Sequence, residues 1–211
     1  MPDLVMYIHG KGGNAVESQH YRSLFPNCEV MGLDYKTFTP WETGEEIHEV
    51  IDGLKDEYEN IILIANSIGA FFSMNADLEG LVKRAYFISP IVNMEKLIGD
   101  MMTWANVTED ELREEELIHT EFGEDLSWEY LSYVRSHSIQ WKIPTKILYG
   151  ENDNLTSMET ISDFARTHDA GLTVMQKGEH WFHTEEQMKC LDDWLGRESF
   201  FKVNRGHITE T

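Results

Sequence analysis

A chain of 211 residues is long enough to bury a sizeable core and too short for two ordinary domains, so residues 1–211 read as one domain with an insertion. Against 17 Lys and Arg stand 38 Asp and Glu; the net charge of −21 repels nucleic acid and anionic membrane surfaces and argues against both as partners. Met1-Pro2-Asp3 leads into the first apolar run without a basic or long apolar leader, no run reaches the eighteen or so apolar residues of a membrane span, and Cys28 and Cys190 read as isolated thiols, all of which fits a cytoplasmic protein.

Short apolar and β-branched runs predict strands at Leu4 to Ile8, Glu29 to Leu33, Ile61 to Ala65, Ala85 to Ser89, Lys146 to Tyr149 and Leu172 to Met175. Between them lie helical patterns. Behind Thr39-Pro40-Trp41, the residues Ile47, Val50, Ile51, Leu54 and Tyr58 recur at helical spacing. Thr156-Ser157-Met158-Glu159 reads as a capping-box start for a helix burying Ile161, Phe164 and Ala165, and Thr184 to Gln187 starts another that buries Met188, Leu191, Trp194 and Leu195. Strands alternating with helices imply a mostly parallel sheet covered on both faces.

The stretch Ile91 to Gln140 breaks this rhythm. It shows no clear strand and reads as helices: Met94, Leu97, Ile98, Met101 and Met102 follow helical spacing, Thr108 to Glu111 is a capping box, and Trp128, Leu131, Tyr133 and Val134 mark a further helix. The acidic run Glu109 to Glu116 is expected to be a solvated helix face. After Leu195 the pattern fades; Phe200 to Val203 reads as a locally packed run and Arg205 to Thr211 as frayed.

Three segments carry chemistry. Ala65-Asn66-Ser67-Ile68-Gly69, between an apolar strand and Ala70-Phe71-Phe72, reads as a sharp strand-to-helix turn with Ser67 at its apex. Such a turn needs small residues two positions either side of the serine; the usual form is G-x-S-x-G, and Ala65 departs from it by one methyl. Asp153 falls in the loop after Lys146 to Tyr149, and His180 in the loop after Leu172 to Met175. The chain order Ser67, Asp153, His180 is that of nucleophile, acid and base in a serine hydrolase built on an α/β sheet.

On these residues the sequence resembles the serine α/β-hydrolase superfamily, from about Leu4 to Leu195, and Tyr7-Ile8-His9-Gly10-Lys11-Gly12-Gly13 looks like that family's His-Gly loop. The resemblance implies an α/β-hydrolase fold: a mostly parallel sheet of about six strands with helices on both faces, the first two strands of the family's eight being absent, and residues 91–140 forming a helical cap. It also implies oxyanion-hole amides from Lys11 and Ile68. Met101, Met102, Trp104 and Trp181 are the expected substrate-binding residues.

A serine hydroxyl is a poor nucleophile at neutral pH and needs a base that takes its proton and later returns it, the role that falls to His180; Asp153 would accept the other imidazole N–H. The expected reaction is cleavage of a small-molecule carboxylic ester or thioester through an acyl-enzyme on Ser67, with no cofactor and no metal. Acyl transfer, peptide cleavage and carbon–carbon hydrolysis use the same residues, and a receptor or interaction module of the same fold is the alternative from another class. His180 and His183 have an H-x-x-H spacing, but His180 precedes the helix start and no third ligand cluster accompanies them; His183 reads as a helix-entry residue and His9 as a brace for its own loop. Glu151 and Asp169 are the rival acids. Neither the substrate nor the oligomeric state is legible.

Overall fold

The computed structural model describes residues 1–200; the packing expected of the Phe200 to Val203 side chains and the fraying expected of Arg205 to Thr211 lie outside the described residues. Six strands form the main sheet: β1 (Asp3–Ile8), β2 (Cys28–Leu33), β3 (Ile61–Asn66), β4 (Val82–Ile88), β7 (Thr145–Gly150) and β8 (Gly171–Met175), in the order β2-β1-β3-β4-β7-β8, with every pairing parallel. Each expected strand is present, with no end moved by more than three residues.

A parallel sheet needs cover on both faces, and the pleat decides which residue goes where. In β1, Leu4, Met6 and Ile8 join one apolar cluster and Val5 and Tyr7 the other; in β3, Ile61, Leu63 and Ala65 alternate in the same way with Ile62 and Ile64. Helices α1 (Pro40–Leu54), α2 (Ile68–Met74) and α6 (Met158–Thr167) cover the first face, burying Ile47, Ile51, Phe72 and Ile161. The second face is covered by a 3-10 segment, Ala15–Ser23, which the sequence pattern did not reveal, and by α7 (Glu185–Phe200), through Tyr21, Leu191, Trp194 and Leu195.

The helix starts follow capping chemistry. Thr39 caps α1 by accepting from the Glu42 amide with Pro40 in the first turn, and Thr108 and Glu111 cap each other reciprocally at α4 (Glu109–Glu115). At α6 the cap is Ser157 rather than Thr156, whose hydroxyl instead donates to the carbonyl of Pro90.

The segment between β4 and β7 carries α3 (Met94–Ala105), α4 and α5 (Trp128–Ser136), as expected, and also an antiparallel hairpin, β5 (Leu117–His119) with β6 (Asp125–Ser127). The expectation of an all-helical insertion is corrected there. Three-residue strands are too short for an alternating pattern to register, and their pairing is set by the turn: Thr120 and Glu124 bond each other through backbone and hydroxyl, and Gly123 takes a φ of 83°. Among the described residues no helix is long and apolar enough to cross a membrane.

Candidate active site

Loops at the carboxyl ends of β1, β3, β4, β7 and β8 converge on one edge of the sheet. Ser67 follows β3, the strand between β1 and β4, with φ 52° and ψ −121°, a left-handed conformation costly for any side chain. The strain lifts the hydroxyl off the sheet. It persists because the turn is gripped: the Ser67 amide donates to Ile88 and its carbonyl accepts from Ala70 and Ile91. Gly69 is required by contact. A Cβ there would stand 2.4 Å from the carbonyl oxygen of His9 and 2.7 Å from that of Ile8, so only glycine lets α2 start so close to β1. Ala65 is fully buried within β3, and the turn forms with its methyl in place.

Asp153 and His180 come from adjacent strands whose loops touch backbone to backbone. A Cβ on Gly150 would lie 2.4 Å from the Glu179 carbonyl, and the amides of Glu151 and Asn152 donate to Met175 and Gly178 across the gap. The side chain of Asp153 is 0 % exposed, and its Oδ1 accepts from the amides of Leu155 and Thr156 at 2.8 and 2.9 Å. Tyr149 ties the same loop down by donating to the Thr156 carbonyl at 2.7 Å.

Asp153 Oδ2 lies 2.7 Å from His180 Nδ1, and His180 Nε2 lies 2.8 Å from Ser67 Oγ. A carboxylate only accepts, so it selects the tautomer with the proton on Nδ1; Nε2 is then left to accept from the serine hydroxyl. The three sequence-predicted residues thus form one hydrogen-bonded relay, with the serine at its open end.

The rivals are engaged elsewhere. Glu151 accepts from the Lys177 amide, and Asp169 sits in the turn after α6 with φ 51°. His183 contacts the Trp181 carbonyl at 2.8 Å and its amide donates to Gln187 at the start of α7, while both ring nitrogens of His180 are occupied by Ser67 and Asp153, so the H-x-x-H pair does not converge. Among the described residues no three His, Cys, Asp or Glu gather as a metal site would need. His9 is buried against Tyr35, ring stacked on ring at 4.2 Å, and braces its loop through the Gly10 carbonyl.

Ser67 opens into a cavity of about 750 Å³, large enough for a drug-sized ligand. Lys11 and Ile68 line it beside the serine. Of the four residues expected to bind substrate, Met101 and Trp104 line the cavity, Met102 is 8 % exposed and packs into the core, and Trp181 is 68 % exposed, stacked on His183 at 4.5 Å and outside the cavity lining. The rest of the wall was not foreseen: Phe38 from the loop before α1, Trp41 from its first turn, Leu117 and Phe122 from the hairpin, and Tyr130 from α5. None carries a local signature, since each reaches the wall through tertiary packing alone.

No protein-family model matches the chain, and no curated protein matches it at a significant level. Solved structures do match in three dimensions. Est1E from Butyrivibrio proteoclasticus with bound ferulic acid is 16 % identical, superposes with a TM-score of 0.76, and the match covers 95 % of this chain and 89 % of that one. Alpha/beta hydrolase domain-containing protein 10 from mouse is 14 % identical at a TM-score of 0.71, covering 95 % and 90 %. A thioesterase domain from the curacin biosynthetic pathway is 15 % identical at 0.59, covering 92 % and 91 %. At these identities the likeness shows the fold.

Proposed function

We propose that this chain, which has the α/β-hydrolase fold, is a serine hydrolase that cleaves a carboxylic ester or thioester. The observation that carries the reading is the relay Asp153–His180–Ser67, joined by 2.7 and 2.8 Å contacts and ending at a serine held in a strained turn over a large cavity. The similar structures include an esterase and a thioesterase domain, which supports the same class of chemistry.

In the reaction, Ser67 Oγ attacks the carbonyl carbon while its proton passes to His180 Nε2, and Asp153 stabilises the imidazolium. The backbone amides of Ile68 and Lys11 serve as donors to the oxyanion; losing one such donor typically costs about 100-fold or more in turnover. The intermediate collapses as the carbon–oxygen or carbon–sulfur bond breaks, and His180 returns the proton to the departing alkoxide or thiolate. Water then attacks the acyl-Ser67 by the same route, giving a carboxylic acid and free serine. Loops from five strands and the insertion act as body and cap around this centre.

The test is labelling with a fluorophosphonate probe. Intact-mass analysis should find one adduct on the wild-type chain and none on Ser67→Ala; no adduct on folded wild type, or full labelling of Ser67→Ala, would overturn the assignment.

A further inference from the structure

Charge on the cavity wall is unevenly spent. Of the described residues that line it, Lys11 is the one cation, against Glu124, Asp125 and Glu129. Its ammonium is taken by Glu124, which reaches it from the hairpin turn. Glu124 is well placed for this, because the turn that carries it is fixed by three hydrogen bonds with Thr120. Asp125, next along, has a hydrogen-bond contact with His119 Nδ1 at 2.7 Å. A substrate therefore meets no uncompensated positive charge. What it meets is apolar and aromatic: Phe38, Trp104, Leu117 and Phe122 are 64, 54, 49 and 45 % exposed, and all four line this same cavity. Trp104 and Phe122 join α3 to the hairpin edge to face, with centroids 6.2 Å apart. Large side chains left in water in one place mark a surface meant to be covered.

We propose that the site takes esters or thioesters with a bulky, uncharged acyl group and rejects acyl groups ending in a carboxylate, and that Glu124 determines the charge part of this selectivity by holding Lys11. The inference rests on the ester-hydrolase reading above. Its physical content is that an ammonium beside the nucleophile would otherwise attract an acyl carboxylate. With Glu124 engaged, that attraction is cancelled, and the surrounding field of a chain of net charge −21 opposes an anion. Replacing Glu124 by glutamine removes the competitor and leaves Lys11 free.

The experiment compares kcat/KM for p-nitrophenyl acetate, hexanoate and hydrogen adipate in wild type, Glu124→Gln and the double variant Glu124→Gln with Lys11→Met, in which the Lys11 amide is retained. Wild type should prefer hexanoate over acetate and over adipate, each by about tenfold, the first because added methylenes bury apolar surface. Glu124→Gln should narrow the hexanoate-to-adipate ratio by about threefold or more at low salt; the gain should fade near 0.5 M salt and vanish in the double variant. An unchanged ratio in Glu124→Gln, or a change that survives removal of the Lys11 ammonium, overturns the role of Glu124. A preference for acetate overturns the bulky acyl class. Titrating Ser67→Ala with the same esters, read by tryptophan fluorescence, separates the two layers. Discrimination in binding with no turnover by wild type would sink the hydrolase reading and leave the charge inference standing, whereas turnover without discrimination would do the reverse.

Discussion

Asp153 spends its two oxygens on different tasks: Oδ1 accepts the amides of Leu155 and Thr156, and Oδ2 faces His180 Nδ1 at 2.7 Å. The carboxylate is thus held by its own turn as well as by the imidazole. Asp153→Asn preserves the acceptor used by the turn but turns an N–H toward the imidazole, which favours the wrong tautomer. The fold should survive and kcat should fall by up to roughly 10⁴-fold, as in other serine relays. Unchanged melting with near wild-type turnover would move the acid role to another carboxylate.

The elbow makes a second, steric prediction. Gly69→Ala places a methyl 2.4 Å from a backbone oxygen that cannot rotate away, so α2 and β1 must separate, at a cost of about 1–3 kcal/mol. Activity should drop with it, because Ser67 rides on the same turn. Gly99→Ala is the control: it lies within α3 with nothing within 4 Å of the added carbon, and should be neutral or stabilising by about 0.5–1 kcal/mol. Thermal melts and kcat on both variants decide the matter; equal behaviour would refute the contact argument.

Neighbours on α3 should separate selectivity from stability. Met102 is in the core and Met102→Ala should cost about 2–5 kcal/mol while scaling all substrates alike, whereas Trp104→Ala, at the cavity wall, should shift relative kcat/KM between short and long acyl chains by about 10-fold with little change in melting. The reverse pattern would mean that the wall has been misread.

Glu46 predicts an acid-sensitive tether. Burial alone would push its carboxyl up, but the Thr37 hydroxyl at 2.5 Å, the amides of Lys36 and Thr37, and the Lys36 charge outweigh that and hold it below the usual carboxylate range. A carboxyl with a depressed folded pKa contributes stability above its unfolded value of about 4.3 and loses it as pH falls through the folded value. Glu46→Gln should therefore melt lower than wild type near neutrality, and the gap should close upon acidification. A gap of constant size from pH 7 to 3 would show that the carboxylate charge is irrelevant. The tether matters to the site because Phe38 and Thr39, next in the chain, line the cavity.

Much of this was legible because it is local. The strand runs are continuous and apolar, as a doubly covered parallel sheet demands, and Ser67, Asp153 and His180 each sit one loop beyond such a run. What was missed depends on distance in the chain. The hairpin is made by three-residue strands, and Phe38, Tyr130 and Phe122 become neighbours of one cavity only after the insertion has folded. Met102 and Trp181 show the limit of pattern reading: helical spacing places Met102 near Met101 but not on its face, and adjacency to His180 does not bring Trp181 to the cavity wall.

The backbone contact between the loops of Gly150 and Gly178 has a dynamic consequence. Among the described residues β8 is an edge strand, paired with β7 alone and with a half-exposed face, and such edges open more readily than the centre of a sheet. Because the two loops lean on each other through backbone atoms, the positions of Asp153 and His180 are tied together, while the serine turn is anchored separately between β1 and β4. The two halves of the Ser67–His180–Asp153 constellation thus rest on different parts of the sheet, one at its centre and the other towards its β8 edge.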